Sequence, residues 1–107
     1  MKFGEHIKQL RELNHLLQRQ LANALDMDTA MLSKIERGER RAKREHIPIF
    51  ASLLNTNEKD LCTIWLADKV YELIKQEDNA TEIFKVAEEQ IKADINKHSS
   101  KKNVVKF

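Results

Sequence analysis

The chain has 107 residues, enough for one domain of ordinary size, and 19 lysines and arginines nearly balance 17 acidic residues. Hydrophobic residues make up 41% and charged residues 34%, a composition typical of a folded domain and not of a disordered segment. Two glycines and one proline supply too few turns for a protein of many short strands, so we expect an all-α fold class.

Several classes of protein are disfavoured at the outset. Apolar runs fall far short of the ~20 residues that span a bilayer, and Glu5 and His6 stand where a signal peptide is apolar. The single cysteine, Cys62, has no disulfide partner in the chain and no neighbouring base, so we expect it to pack. The histidines lack metal-ligand spacing. These features predict a cytoplasmic protein with no membrane partner, no enzyme activity, no metal and no cofactor.

Apolar residues at helical spacing predict six helices, at about residues 4–16, 18–25, 29–37, 44–54, 57–76 and 80–97. Asp26 is expected to take the left-handed conformation that ends the second helix, which aspartate tolerates. Asp28 is a favourable N-cap for the third helix, and Gly38 is typical of a helix end. Asn57, with Asp60 three residues later, predicts a capping box for the fifth. Pro48 is expected to kink or shorten the fourth helix.

The third predicted helix, Thr29–Arg37, has two unlike faces. At about 100° per residue, Leu32 and Ile35 point one way, with Met31 beside them. The opposite face carries small, polar or cationic residues, namely Thr29, Ala30, Ser33, Lys34 and Arg37. Such a helix fits the ~12 Å major groove of DNA, where Lys34 and Arg37 can meet phosphates or base acceptors. An ordinary amphipathic surface helix shows the same periodicity, so the pattern alone leaves both interpretations open.

A cationic segment follows this helix. Arg37 to Arg44 reads RGERRAKR, with five basic residues and one acid. A local cluster of this kind is typical either of a solvated face or of a site for a polyanion.

The second and third predicted helices and the turn between them carry Leu21-Ala22, Leu25, Met27, Leu32-Ser33, Ile35-Glu36 and Gly38. In this spacing these residues resemble the Cro/repressor-type (Xre) helix-turn-helix family, and the match is not confined to them. It extends to Ile7, Leu10-Arg11, Leu13, Gln18, Arg40, Ala51, Leu53-Leu54 and Leu61. It covers about residues 4–62. The resemblance implies a lambda-repressor-like helix-turn-helix bundle of about five helices over residues 1–62, followed by a C-terminal helical extension or hairpin.

The resemblance also implies roles for individual residues. Gln18 matches a phosphate contact at the start of the second helix. The positions where the recognition helix meets base edges and flanking phosphates are Thr29, Ala30, Ser33 and Lys34. The loop that lies along the DNA backbone holds Arg40, Arg41, Lys43 and Arg44. Arg11 and Glu36 match a structural ion pair. The chain departs from the family pattern at Leu17, Asp26 and Ala42, where a capping Ser or Thr, a turn glycine and a loop proline are usual.

The second half, residues 63–98, is expected to be the helical extension. Leu61 to Val70 directly follow the domain and are expected to pack on it. A second apolar stripe is predicted to contact another copy of the chain, through Ile83, Phe84, Ala87, Ile91 and Ile95. Packing within one chain remains open. The tail, residues 99–107, is expected to be frayed and basic.

Together these observations predict a sequence-specific regulator of transcription that binds double-stranded DNA as a homodimer on a near-palindromic operator. The alternative is an antitoxin or adaptor whose C-terminal hairpin binds another protein while the helix-turn-helix regulates its own operon. RNA binding is disfavoured, because Trp65 and Tyr71 lie on an apolar stripe and form no exposed stacking platform.

Overall fold

The computed structural model describes the backbone of residues 2–106 and the side chains of residues 2–97. Over that range it is all-helical, which confirms the predicted fold class. The helices are α1 (Lys2–Leu13), α2 (Gln18–Ala24), α3 (Thr29–Glu36), α4 (Ile47–Leu53), α5 (Glu58–Ile74) and α6 (Ala80–Lys106), with a 3-10 turn at Arg44–His46 before α4. None of the described helices combines the length and apolarity needed to cross a membrane.

The chain divides into two compact units, Met1–Tyr71 and Glu72–Phe107. The first unit runs past residue 62, where the sequence suggests the domain boundary. It does so because α5 continues to bury side chains beyond that point, at Trp65 and Asp68.

The core of the first unit lies where α3 packs against α1 and α2, and where α2 packs against α4. Its largest fully buried side chains are Phe50, Ile7, Leu21, Leu32, Ile47, Leu54 and Leu61. Phe3 and Phe50 meet edge to face, with ring centroids 5.8 Å apart. α1 also crosses the end of α3 at very close range, because a Cβ atom on Gly4 would overlap the carbonyl oxygens of Ile35 and Glu36.

Helices α1 to α4 all end in the same way. The second residue after each helix end adopts a positive φ, at His15, Asp26, Gly38 and Asn55. The next residue then donates its N–H to a carbonyl five positions back, at 2.9–3.1 Å, in the pairs Leu16–Arg11, Met27–Ala22, Glu39–Lys34 and Thr56–Ala51. These are Schellman turns, which satisfy the last carbonyls of a helix. They confirm Gly38 as a helix end and Asp26 as a left-handed residue, with φ of 55°.

The helix starts follow local side-chain chemistry. The Asp28 carboxylate accepts from the Met31 N–H at 2.7 Å, which confirms it as the N-cap of α3. Asn57 Oδ1 accepts from the Asp60 N–H at 3.0 Å, so Asn57 supplies its half of the predicted capping box for α5. Leu17 offers no side-chain cap to α2, as its sequence position suggests.

Of the two effects expected of Pro48, the structure shows a shortened fourth helix and not a kinked one. The predicted fourth helix is two elements, since the 3-10 turn at Arg44–His46 ends where α4 begins, at Ile47. Pro48 therefore lies in the first turn of α4 and does not kink it. A proline is tolerated there because the first N–H groups of a helix have no partner within it.

The second unit contains α6, which continues to Lys106 instead of ending near Lys97. No proline or glycine follows Ala80 to stop the helix. The predicted frayed tail falls partly outside the description, since Phe107 and the side chains from residue 98 onward are not described.

Candidate nucleic-acid interface

α3 presents the two faces that its sequence predicts. Leu32 and Ile35 are buried in the core, and Met31 is half-buried beside them. The opposite face is open to solvent, with Ser33 half-buried and the rest exposed, namely Thr29, Ala30, Lys34 and Arg37. Small side chains at the N-terminal end of α3 let its backbone approach a groove closely, while its C-terminal end is cationic.

A buried polar cluster holds α3 in this orientation. The Arg11 guanidinium meets the Glu36 carboxylate through two hydrogen bonds, of 2.7 Å from Nε and 3.1 Å from Nη2. The side chains of Arg11 and Glu36 are only 11% and 2% exposed. The hydrogen bond to Glu36 raises the pKa of Arg11 further above its usual value. Because Arg11 also donates to the Leu16 carbonyl at 2.9 Å, the cluster ties α1, the following turn and α3 together.

Gln18 joins the same cluster. Its side-chain amide donates to Glu36 Oε1 at 2.9 Å, so one of the amide hydrogens is already engaged. A phosphate contact of the kind that the sequence predicts would use the second hydrogen, since an amide nitrogen carries two. The structure thus adds a structural role for Gln18 to the predicted one.

Arg37 has intramolecular partners on the outer face of α3. Its Nη1 donates to Ser33 Oγ at 2.5 Å, and its Nε donates to the Glu39 carboxylate. This pairing raises the pKa of Arg37 and lowers the pKa of Glu39, so both groups are charged at neutral pH. The ion pair is exposed to solvent, with both side chains 54% accessible. A negatively charged group therefore lies within the candidate interface, next to one of its cations.

The loop after α3 separates its cations into two kinds. Arg40, Lys43 and Arg44 are exposed. Arg41, which the sequence groups with them, is half-buried and bound to α5 instead: its Nη2 donates to the Trp65 carbonyl at 2.8 Å. Its guanidinium carbon also lies 4.0 Å from the centroid of the Trp65 ring, a cation–π contact. The structure therefore gives Arg41 a packing role that the sequence does not predict.

Sequence reasoning missed two residues on α5. Trp65 Nε1 donates to the Ala42 carbonyl at 2.7 Å, across 23 positions of sequence. Asp68 is 6% exposed, and its carboxylate accepts from the N–H groups of Lys2 and Phe3 at 3.3 and 2.9 Å. Asp68 thus caps the start of α1. The only sequence signal was their spacing of nearly one helical turn, which places both on one face of α5 but does not name their partners.

The predicted dimer residues all lie on α6. Phe84, Ile91 and Ile95 are more than half exposed, Ala87 is exposed, and Ile83 is half-buried. Positions three, four, seven and eight apart lie on one side of a helix, so these residues share a face. Among the side chains of residues 2–97, no three His, Cys, Asp or Glu residues are grouped so as to hold a metal ion.

Helices α2 and α3, joined by a short turn, with the outer face of α3 exposed beside a basic loop, have the arrangement of a helix-turn-helix domain. A family model described as helix-turn-helix matches residues 7–61, just over half of the chain. The chain therefore belongs to this family, of the Xre/Cro type, as its sequence predicts. The family is one of DNA-binding regulatory domains. Neither the search of curated proteins nor the search of solved structures found a match.

Proposed function

We propose that this protein is a sequence-specific regulator of transcription that inserts α3 into the major groove of double-stranded DNA. The observation that carries the proposal is the outer face of α3, which is small and polar at Thr29 and Ala30 and cationic at Lys34, while its inner face is anchored in the core. Such a face lets the helix backbone approach the base edges.

Eight of the ten predicted contacts have a role in this proposal, and Arg37 and Arg41 have none because both are engaged within the chain. Thr29, Ala30 and Ser33 approach base edges, and Lys34 reaches a base acceptor or a phosphate. The exposed loop cations Arg40, Lys43 and Arg44 bind phosphates, as does the free hydrogen of the Gln18 amide. Since neither Ala30 nor Ser33 offers the paired donor and acceptor groups of Arg, Asn or Gln, part of the specificity comes from DNA shape.

The protein acts as a homodimer in this proposal, in the cytoplasm, with α6 as the contact between copies. A single domain of this size binds DNA weakly, with non-specific dissociation constants of ~10⁻⁴–10⁻⁶ M at physiological salt. A two-fold dimer places two recognition helices about one turn of DNA, ~34 Å, apart and reads a near-palindrome. The exposed apolar side chains Phe84, Ile91 and Ile95 on one face of α6 support this contact.

The test is a titration of the full chain with duplex DNA from the region upstream of its own coding sequence, repeated over a series of salt concentrations. We expect one preferred site, and a logarithm of the binding constant that falls linearly with the logarithm of salt concentration. A matched variant, Lys34→Ala, should change the preference among sites, whereas Arg40→Ala should weaken binding to all of them alike. A flat salt response without a preferred site would contradict the proposal.

The same exposed face of α6 favours a second candidate, an antitoxin or adaptor that binds another protein through this region and regulates its own operon. The two candidate functions predict different oligomeric states for the purified chain. Light scattering should find a dimer at micromolar concentration if α6 joins two copies, and a monomer if its partner is a different protein.

A further inference from the structure

The loop between α3 and the 3-10 turn carries the exposed cations, yet residues 38–43 form neither helix nor strand. At its start, the N–H groups of Glu39 and Arg40 donate to the Lys34 carbonyl, which ties them to the end of α3. At its far end, the Lys43 carbonyl accepts from the His46 N–H. The path of the loop between Arg40 and Lys43 must therefore be fixed by other contacts.

Trp65 supplies those contacts. Its indole Nε1 donates to the Ala42 carbonyl at 2.7 Å, and its own backbone carbonyl accepts from Arg41 Nη2 at 2.8 Å. The Arg41 guanidinium covers the face of the indole ring, 4.0 Å from its centroid. Trp65 is 8% exposed and Ala42 is 3% exposed, so the hydrogen bond between them is buried, where an indole N–H needs a partner.

We infer that Trp65 is a positioning residue for phosphate binding: it holds Arg41 and Ala42 against α5 so that Arg40 and Lys43, on either side of them, stay directed outward along one path. Trp65 itself does not touch DNA, and Arg41 is taken out of the set of phosphate ligands by its contacts with Trp65. This inference rests on the proposed DNA-binding function. Its physical basis is preorganisation, since a loop that is already ordered loses less conformational entropy when it binds.

The test compares Trp65→Phe with the wild-type chain. Phenylalanine keeps an aromatic ring under Arg41 and removes the N–H that binds Ala42. We expect the affinity for the preferred duplex to fall about fivefold for all sequences alike, the order of the cost when one long side chain must be ordered on binding. The slope of log affinity against log salt concentration should become shallower by about the amount that corresponds to one lost phosphate contact.

Two further measurements distinguish a positioning role of Trp65 from a purely structural one. Asp68→Asn, nearly one turn further along α5, weakens the cap of α1 without touching the loop, so it should lower thermal stability and leave the salt slope unchanged. In a double-mutant cycle, Arg40→Ala should weaken binding less in the Trp65→Phe background than in the wild type, because Arg40 is no longer held in place. If Trp65→Phe does not fold, Arg41→Gln, which keeps Trp65 and removes the stacked cation, takes its place in the cycle.

The outcomes separate the two claims. Wild-type protein that binds no duplex overturns the proposed function and this inference with it. Wild-type protein that binds specifically, while Trp65→Phe keeps the same salt slope and adds independently to Arg40→Ala, overturns only the positioning role of Trp65. For Arg41→Gln, which removes a cation and so alters the salt slope by itself, additivity with Arg40→Ala is the result that overturns that role.

Discussion

The two units of the chain differ in how much of their apolar surface is buried. In the first unit, α1 to α4 are short, end in Schellman turns, and surround a core whose main side chains are fully buried. In the second unit, none of the side chains from residue 72 to 97 is buried. Apolar residues of α6 are left more than half accessible, among them Phe84 and Ile91.

This contrast assigns different tasks to the two units. The first unit is stabilised by contacts within itself, including buried polar pairs in which both partners must be correctly oriented. The second exposes an apolar face, a feature that marks sites of protein–protein contact. In the proposed function, the first unit therefore binds DNA, and the second supplies the partner surface.

The largest effect should come from breaking the buried ion pair of the first unit. Replacing Arg11 with Met leaves the Glu36 carboxylate buried without its cation, which costs ~3–5 kcal/mol of unfolding free energy. Denaturant unfolding measures this loss. The double variant Arg11→Met/Glu36→Met is the control, and it should recover much of the stability because no charge is left unpaired. A single variant as stable as the wild type would contradict the structural role of the pair.

Substitutions in the second unit should change the oligomeric state of the protein and leave the stability of the first unit unchanged. Phe84→Ser with Ile91→Ser should convert the proposed dimer to a monomer in light scattering. It should also lower the affinity for a near-palindrome by ~10²–10⁴, because the second half-site is no longer linked to the first. Binding to a single half-site should be unchanged. Thr81→Ser on the same helix is a conservative control. A variant that still dimerises would show that the copies meet elsewhere.

Close packing of α1 on α3 gives a third test. Gly4→Ala forces a Cβ into the carbonyl oxygens of Ile35 and Glu36, which are backbone atoms and cannot move aside cheaply. We expect a loss of ~1–3 kcal/mol in unfolding free energy, typical of overpacking. Lys8→Ala, at an exposed position of the same helix, should stay close to the wild type. Equal stabilities of the two variants would place α1 and α3 further apart than described.

The smallest effect concerns the charge inside the candidate interface. Glu39 accepts a hydrogen bond from Arg37 that lowers its pKa further below neutral, so its carboxylate carries a negative charge beside the cation. Glu39→Gln should raise DNA affinity severalfold and steepen the salt slope by up to ~0.9, the value for one added phosphate contact. Glu89→Gln makes the same charge change on α6 and should have little effect. Weaker binding by Glu39→Gln would mean that the carboxylate itself accepts from a base.

Local features of this fold were readable from the sequence. The cap at Asp28, the left-handed turn at Asp26 and the two faces of α3 each depend on residues within one or two helical turns. The Arg11–Glu36 partnership followed from the family resemblance instead, since periodicity cannot connect two residues 25 positions apart.

What the sequence did not show are choices of partner that depend on tertiary packing. An apolar stripe indicates that Trp65 is buried, but not that its N–H binds the Ala42 carbonyl. In the sequence, Asp68 looks like an ordinary charged residue on a helix surface. Only the fold shows that its carboxylate lies beside the start of α1. Arg41 looked equivalent to its neighbours in a basic run, and only its contact with Trp65 distinguishes it.

Whether the outer face of α3 reads DNA sequence can be measured by selecting bound duplexes from a randomised library, with the wild-type chain and Lys34→Ala run in parallel. We expect the wild type to enrich a near-palindrome with half-sites about one helical turn apart. We expect Lys34→Ala to change the enriched bases within each half-site while keeping their spacing. A wild-type chain that enriches no sequence, or a variant that enriches the same one, would contradict this role of α3.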